Sequence, residues 1–246
     1  MMNNLLDNIS IILVDTKTPA NIGSVSRCMM NMGLSRLILV DPPADRDREA
    51  IRLAAGAQDI LNKAAVFSTL REAVADHGLV IGTSRHAGKQ RKNIRTPREM
   101  AEAVIPVLGK NRVAIVFGNE VNGLENQDIA LCNELISIPS SDAFPSLNLS
   151  HAVMIVAYEL FIASGNAAPS SGIELANAGE VEDFYRHLQE TLLVIGFLDR
   201  ENQERMMFSL RQVFGRARLD IRGVRILRGI LTAVEREISG GKENPE

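Results

Sequence analysis

Ile9-Ser10-Ile11-Ile12-Leu13-Val14 is the stretch that decides the fold. It is short, almost wholly apolar and rich in branched side chains, so it reads as a strand buried on both faces. Thr16 to Ala20, with Pro19, reads as a turn, and Ile22 to Met32 as a helix that closes on Gly33. A second branched run, Leu37 to Val40, follows. Strand, helix and strand in that order make one βαβ unit with a parallel pair. The same alternation continues outward. Leu79 to Gly82, Val113 to Phe117 and Leu135 to Ile138 read as three further strands. Pro97 to Leu108 reads as a helix that Pro106 cuts short, and Leu149 to Ala163 as a strongly apolar helix. An α/β domain with a mostly parallel sheet is expected.

The pattern then changes. Gly, Ala, Ser and Pro crowd the stretch from Ser164 to Gly179, a linker composition. Beyond it only helices are indicated: Val181 to Ile195, Gln203 to Phe214 and Ile221 to Ile238. In the last, Leu227, Leu231, Val234 and Ile238 share one face. The expected layout is an α/β domain over residues 1–164, a linker over 165–179 and a helical domain over 180–246.

Composition excludes several classes. The 246 residues carry 27 Lys plus Arg against 30 Asp plus Glu. No run of 18 apolar residues suggests a membrane span, and Met1 to Asp15 lacks the basic start and small-residue cleavage site of a secretory leader. Two cysteines, Cys28 and Cys132, form no disulfide framework, so a reducing cytoplasm is the expected compartment. His77, His86, His151 and His187 are scattered without metal-ligand spacing, so no metal is expected. The net charge of -3 hides local clusters. Arg85 to Arg98 holds six basic residues and no acid, and Arg205 to Arg228 holds seven arginines and one acid. Glu180 to Glu204 holds seven acids against two arginines. Basic clusters in a mildly acidic chain suit a phosphate-bearing partner held at one place, though each alone can be a solvated face.

Ligands of open α/β sheets bind at the carboxyl ends of strands. Three such ends carry small and polar residues: Gly82-Thr83-Ser84, Gly118-Asn119-Glu120 with Gly123, and Pro139-Ser140-Ser141 leading to Ser146-Leu147-Asn148-Leu149-Ser150. Glycine there lets a ligand approach the backbone. No G-x-G-x-x-G or G-x-x-x-x-G-K-[ST] is present, which removes the strongest cues for dinucleotide oxidoreduction and P-loop chemistry. Asn21-Ile22-Gly23-Ser24-Val25-Ser26-Arg27 is the other constellation. Arg27 is either a surface residue or a planar fork for a phosphate. Asn21 either caps the helix or holds Arg27, and Glu120 either holds Arg27 or binds a loop amide. His151, beside Ser150, reads either as a general base or, because an apolar run follows it, as a packed histidine, and the packed reading is preferred. Phe144 reads as a hydrophobic lid or a base-stacking ring.

Asn21-x-Gly23-x-x-x-Arg27, Phe117-Gly118-x-Glu120-x-x-Gly123-Leu124, and Ile138-Pro139 with Ser146-Leu147-Asn148-Leu149-Ser150 resemble, in order and spacing, the three motifs of the SpoU-type 2′-O-ribose RNA methyltransferases. The resemblance runs from about Ile9 to Leu160. In the tail, Phe184-Tyr185-Arg186-His187-Leu188, Gly196-Phe197, Phe214-x-Arg216-Ala217-Arg218 and Ile226-Leu227-Arg228-Gly229-Ile230-Leu231 resemble the C-terminal domain of TrmJ-type tRNA methyltransferases. Asn119, where the family often has Arg, and Arg85, where it has a small residue, depart from the pattern.

The resemblance implies the SPOUT fold, an α/β parallel-sheet domain tied in a trefoil knot, followed by a small C-terminal helical domain. Periodicity alone would give a doubly wound sheet. It also implies S-adenosylmethionine as methyl donor, a homodimer and tRNA as partner, with methylation of the ribose of C or U at position 32 of the anticodon loop. Thr83, Ser84, Arg85, Gly118, Ile138, Ser146, Leu147 and Asn148 map to the cofactor pocket. Arg27, Asn21 and Glu120 map to the catalytic group, with Arg27 as the family's base. A neutral Arg is costly, so an Arg that orients the adjacent phosphate and stabilises the forming alkoxide is physically easier. Lys89, Arg91, Lys92, Arg211, Arg216 and Arg218 are the expected RNA contacts. The alternatives are methylation of another tRNA or rRNA site, a non-catalytic RNA-binding SPOUT protein, and a small-molecule nucleotide enzyme on an ordinary doubly wound sheet.

Overall fold

The computed structural model describes residues 5–44, 47–84, 94–165, 172–199 and 201–240. Strands β1 (Ile9–Val14), β2 (Arg36–Val40), β3 (Ala65–Phe67), β4 (Leu79–Thr83), β5 (Val113–Phe117) and β6 (Glu134–Ile136) form one sheet. Its order is β3-β2-β1-β5-β4-β6, and every pairing is parallel. β1 lies between β2 and β5 and is buried along all six residues. Successive side chains of a strand point to opposite faces. Ile9, Ile11 and Leu13 accordingly enter one core, and Ile12 and Val14 the other. A strand covered on both faces can be apolar at nearly every position, which is what the opening stretch displays.

The first core is closed by α1 (Pro19–Asn31), α2 (Asp47–Ala54), α3 (Gln58–Asn62), α5 (Pro97–Val104) and α7 (Leu149–Gly165). The second is closed by α4 (Leu70–Val74) and α6 (Asn126–Ile129). Helix α1 begins at Pro19 rather than Ile22, because proline already holds a helical φ and lacks only an N–H that the first turn leaves unpaired anyway. Gly33, at φ +69°, ends it. Gly23 lets α1 approach α2 closely, since a Cβ on it would lie 2.2 Å from Ala50 O. α5 runs as expected into a short 3-10 turn at Pro106. β6 stops at Ile136, two residues earlier than its apolar run suggests.

Three helices form the tail: α8 (Ala178–Val194), α9 (Gln203–Gly215) and α10 (Ile221–Gly240). They share a third core that includes Phe184, Tyr185, Leu188, Met207, Val224 and Leu231, with Leu227 packed against it. The chain before α8 is docked on the sheet unit. Asn111 donates to Ile173 O at 2.9 Å and accepts from Leu175 N at 2.8 Å. Leu175 is buried in the first core, whereas its neighbour Ala176 belongs to the third. Leu175 also pairs with Asp220, at the start of α10, in an antiparallel bridge.

Candidate active site

The carboxyl ends of β4, β5 and β6 open into a cavity of about 660 Å³. Thr83, Ser84, Gly118, Ile138, Ser146 and Leu147 line it, so six of the eight residues expected at a cofactor converge there. Arg85 lies outside the described residues. Asn148 borders the cavity between Leu147 and Leu149, but its side chain turns away, to Asn21. The lining also includes Phe117, Leu124 and Leu149, which the motifs contain but which were not assigned to the pocket, and Ile129, Ile136 and Pro145, which sequence reasoning missed. Ile129 and Ile136 are buried and look like ordinary core in sequence.

The glycines of the second motif have a definite job. A Cβ on Gly118 would lie 2.0 Å from Gly123 C and 2.2 Å from Leu124 N. Asn119 pairs with Gly123 across a tight turn, with Gly123 N donating to Asn119 O at 3.0 Å, and Gly123 sits at φ +73°. Asn119 fixes the turn from within: its Oδ1 accepts from Val121 N at 3.0 Å and Asn122 N at 2.7 Å. Its Nδ2 donates to Asp15 Oδ2, at the end of β1, at 3.0 Å. Asn119, the departure from the family pattern, is thus a well-bonded part of the loop.

Hydrogen bonds join the three motifs. Glu120 accepts from Lys17 N at 3.0 Å, Thr18 N at 3.2 Å and Asn21 Nδ2 at 2.6 Å. Asn148 Nδ2 donates to Asn21 Oδ1 at 3.0 Å, and Asn148 Oδ1 accepts from Ser150 N and Oγ at 2.9 and 2.7 Å. Burial works to raise the Glu120 carboxyl, but the Lys17 amide, the Asn21 side chain and the Thr18 amide together hold it below the usual carboxylate range. It stays ionised.

Arg27 stands at the surface, one of the two positions read for it, but without the partners expected to hold it. It lies exposed on α1 and makes no hydrogen bond or ion pair with the described residues. Asn21 and Glu120 do not hold it: the Asn21 side chain is taken up by Glu120 and Asn148, and the Glu120 carboxylate by Asn21 and the Lys17 and Thr18 amides. Asn21 is not the helix cap either, since Thr18 stands there. One turn on from Ser24, Cys28 Sγ points to Ser150 O at 3.5 Å, so the Arg27 segment adjoins the third motif. His151, expected to be packed, is exposed in the first turn of α7. The apolar residues that follow it pack from the other side of the helix, as Val153, Val156, Ala157 and Leu160 show. Phe144 is exposed beside the cavity wall.

Of the expected RNA contacts, Lys89, Arg91 and Lys92 lie outside the described residues. Arg216 is exposed. Arg211 is paired with Glu182, which Arg71 also holds, and its guanidinium stacks 4.3 Å from the Tyr185 ring centre. Arg218 is paired with Glu134. Among the described residues no cluster of His, Cys, Asp or Glu has the makings of a metal site, and no helix is long and apolar enough to cross a membrane.

Residues 8–158 match the SpoU rRNA Methylase family, and residues 179–243 match the C-terminal domain of the tRNA methyltransferase TrmJ. The chain belongs to the SpoU methylase family. Within it, this SpoU methylase is 39% identical over 249 aligned positions to the tRNA (cytidine/uridine/adenosine-2′-O-)-methyltransferase TrmJ of Pseudomonas aeruginosa, covering 96% of this chain and 97% of that one. It is 38% identical to the tRNA (cytidine/uridine-2′-O-)-methyltransferase TrmJ of Escherichia coli, covering 97% and 99%. Among solved structures, TrmJ of Z. mobilis ZM4 superposes with a TM-score of 0.81 at 33% identity, over 92% of this SpoU methylase and 98% of that chain.

Proposed function

We propose that this SpoU methylase transfers a methyl group from S-adenosylmethionine to the 2′-hydroxyl of a tRNA ribose, at C or U of position 32 in the anticodon loop. The observation that carries the reading is the pairing in one chain of a SpoU methylase segment with a TrmJ-type tail, at full length against TrmJ tRNA methyltransferases.

The cavity fits the donor. Its volume is that of sites for molecules of this size, and its walls combine apolar side chains with glycine-permitted backbone. Thr83, Ser84, Gly118, Ile138, Ser146 and Leu147 would hold the donor, mainly through main-chain groups. The bound donor supplies a methyl on a positively charged sulfur, open to in-line attack by the ribose oxygen. The chain's own residues orient the nucleophile. The hydroxyl proton would leave to solvent water, and Arg27, exposed and unengaged among the described residues, is free to grip the neighbouring phosphate and stabilise negative charge on the oxygen. Glu120, Asn21 and Asn148 hold the start of α1 against the loops of the other two motifs, which sets where Arg27 stands. Much of the rate then comes from holding two reactants in place.

The same proposal includes the knot, a cytoplasmic setting and a homodimer. Tyr158, Phe161 and Ile162, spaced to share one face of α7, are each more than two-fifths exposed. An apolar patch of this kind suits a second copy. Arg216 and the basic run 85–98 are the proposed RNA contacts. A single-turnover assay with labelled donor and unmodified tRNA tests the reading, followed by mapping of the methylated nucleotide. Label on the 2′-oxygen of nucleotide 32 is expected. Label on a base, or none on any tRNA, would refute it.

A further inference from the structure

Glu134 opens β6, the edge strand of the sheet, and two arginines from distant parts of the chain converge on it. Arg95 Nη1 stands 3.1 Å from Glu134 Oε2. Arg218 brings Nε and Nη2 each within 2.7 Å of Glu134 Oε1, and its Nη1 lies 3.5 Å from Ala103 O. The Glu134 side chain is 15% and that of Arg218 22% exposed, so this pair is screened less than a surface ion pair, while Arg95, at 40%, reaches in from the surface.

The backbones of both arginines are fixed. Arg95 N donates to Leu135 O at 3.2 Å, and Ser137 N donates to Arg95 O at 3.0 Å, so the Arg95 backbone extends the sheet by one rung beyond β6. Arg218 adopts φ +46°, a conformation rare for a residue with a side chain, which persists where the surroundings hold it. Just before it, Gly215 lies against the backbone of Asn133, the residue preceding Glu134; a Cβ on Gly215 would stand 3.4 Å from Asn133 O.

The two arginines belong to different working parts. Arg95 lies near the end of the basic run that starts at Arg85, directly after the cavity residue Ser84. Arg218 lies between α9 and α10 of the helical unit. Two residues along β6 from Glu134, Ile136 lines the cavity. One carboxylate therefore ties the helical unit, through Arg218, and the chain at Arg95 to a strand that forms the cavity wall.

We propose that Glu134 is a positioning residue for methyl transfer, holding the helical unit and the chain at Arg95 in register with the cavity through Arg218 and Arg95. This rests on the tRNA methyl-transfer reading above. It also recasts Arg218 as an anchor rather than a phosphate contact.

Simple electrostatics makes the opposite forecast from this proposal. Removing a carboxylate from a basic RNA-binding surface should tighten tRNA binding. If Glu134 positions, Glu134→Gln leaves two guanidiniums facing each other without their common partner, and tRNA binding should worsen.

The test is steady-state methylation of unmodified tRNA by the full chain, with donor affinity measured separately by calorimetry. Glu134→Gln should raise the KM for tRNA about tenfold while kcat and donor affinity stay within about twofold, a change too small for a lost direct contact. Arg95→Gln and Arg218→Gln should each raise KM likewise. Combining either with Glu134→Gln should add little, since they break the same group. Arg218→Gln should leave the salt dependence of KM unchanged, whereas a lost phosphate contact would flatten its logarithmic slope by about one. A KM for Glu134→Gln that is unchanged or lower overturns the proposal, as do additive effects or a loss confined to kcat. Should Glu134→Gln fail to fold, unchanged KM values for both arginine variants overturn it equally. Wild-type protein that methylates no tRNA in this assay would instead refute the underlying reading.

Discussion

Asn148 donates its side-chain amide to Asn21 Oδ1 at 3.0 Å, joining residues 127 positions apart in the chain. The direction of that bond is forced. Glu120 as a carboxylate only accepts, so Asn21 must turn its NH2 to Glu120 and its oxygen to Asn148. Asn148 must then present its own oxygen to Ser150. Asn148→Asp sets acceptor against acceptor at the first of these contacts. A stability loss of about 1 kcal/mol is expected, with a larger loss of methyl transfer, because the loop beside the cavity is released. Urea denaturation and single-turnover rates measured together check this. Equal rates in variant and wild type would show that the bond does not matter to the reaction.

Arg27→Ala should leave melting temperature and donor affinity unchanged, since Arg27 is exposed and unengaged among the described residues. Methyl transfer should fall by about a hundredfold or more. Arg27→Lys should also be poor, because a point charge does not reproduce a planar fork. Wild-type turnover by Arg27→Ala would remove Arg27 from the mechanism.

Gly118→Ala puts a methyl group 2.0 Å from Gly123 C, which is backbone and has no rotamer to escape into. The turn from Asn119 to Gly123 must open. Calorimetry should find donor binding lost or weakened at least about tenfold, a modest expectation for a displaced cavity wall. Unimpaired binding would mean that this turn does not contact the donor.

His77 gives the fold a pH dependence. Burial pushes its imidazole from the ordinary 6.5 down to about 4, while Nε2 stays hydrogen-bonded to Ser10 Oγ at 2.9 Å. The neutral ring is the form the fold accepts, so the unfolded chain binds the extra proton first. Stability from this group is complete above about pH 6.5 and falls as pH drops towards 4, by a total of about 3 kcal/mol. Chemical denaturation at a series of pH values should show that slope in wild type and a flatter one in His77→Gln.

Phe161→Glu places a charge on the exposed apolar face of α7. If a second copy covers that face, light scattering should report a dimer for wild type and a monomer for the variant. A monomeric wild type would remove the dimer from the proposal.

The central strands and long helices were legible because their side-chain periods are dictated by burial. β1 and β5 are bounded in the sequence as they are in the structure. β3 and the helices from α2 to α4 were not, since a three-residue edge strand with exposed Ala65 and Val66 carries no burial signal. Thr83, Ser84, Gly118 and Ser146 were legible as small and polar residues at strand ends, whereas Ile138 entered only with the family motifs, and Ile129 and Ile136 not at all. The bond from Asn119 to Asp15 was not, because nothing local to either residue points across 104 positions. Nor did the run of arginines in the tail reveal which are committed. Arg211 and Arg216 read alike in sequence, yet one meets Glu182 and the other solvent.

Leu175 and Ala176 sit in different cores although they are adjacent. Their shared peptide unit works as a rivet. Melting the helical unit pulls Ala176 away from Leu219 O, which holds its amide at 2.9 Å, and so drags Leu175 out of the sheet's packing. Melting the sheet unit frees Leu175 and loosens the start of α8 in turn. Two folded bodies fastened this way share their cooperativity, so heat uptake in a scanning calorimeter should come as a single peak, not as two resolved ones.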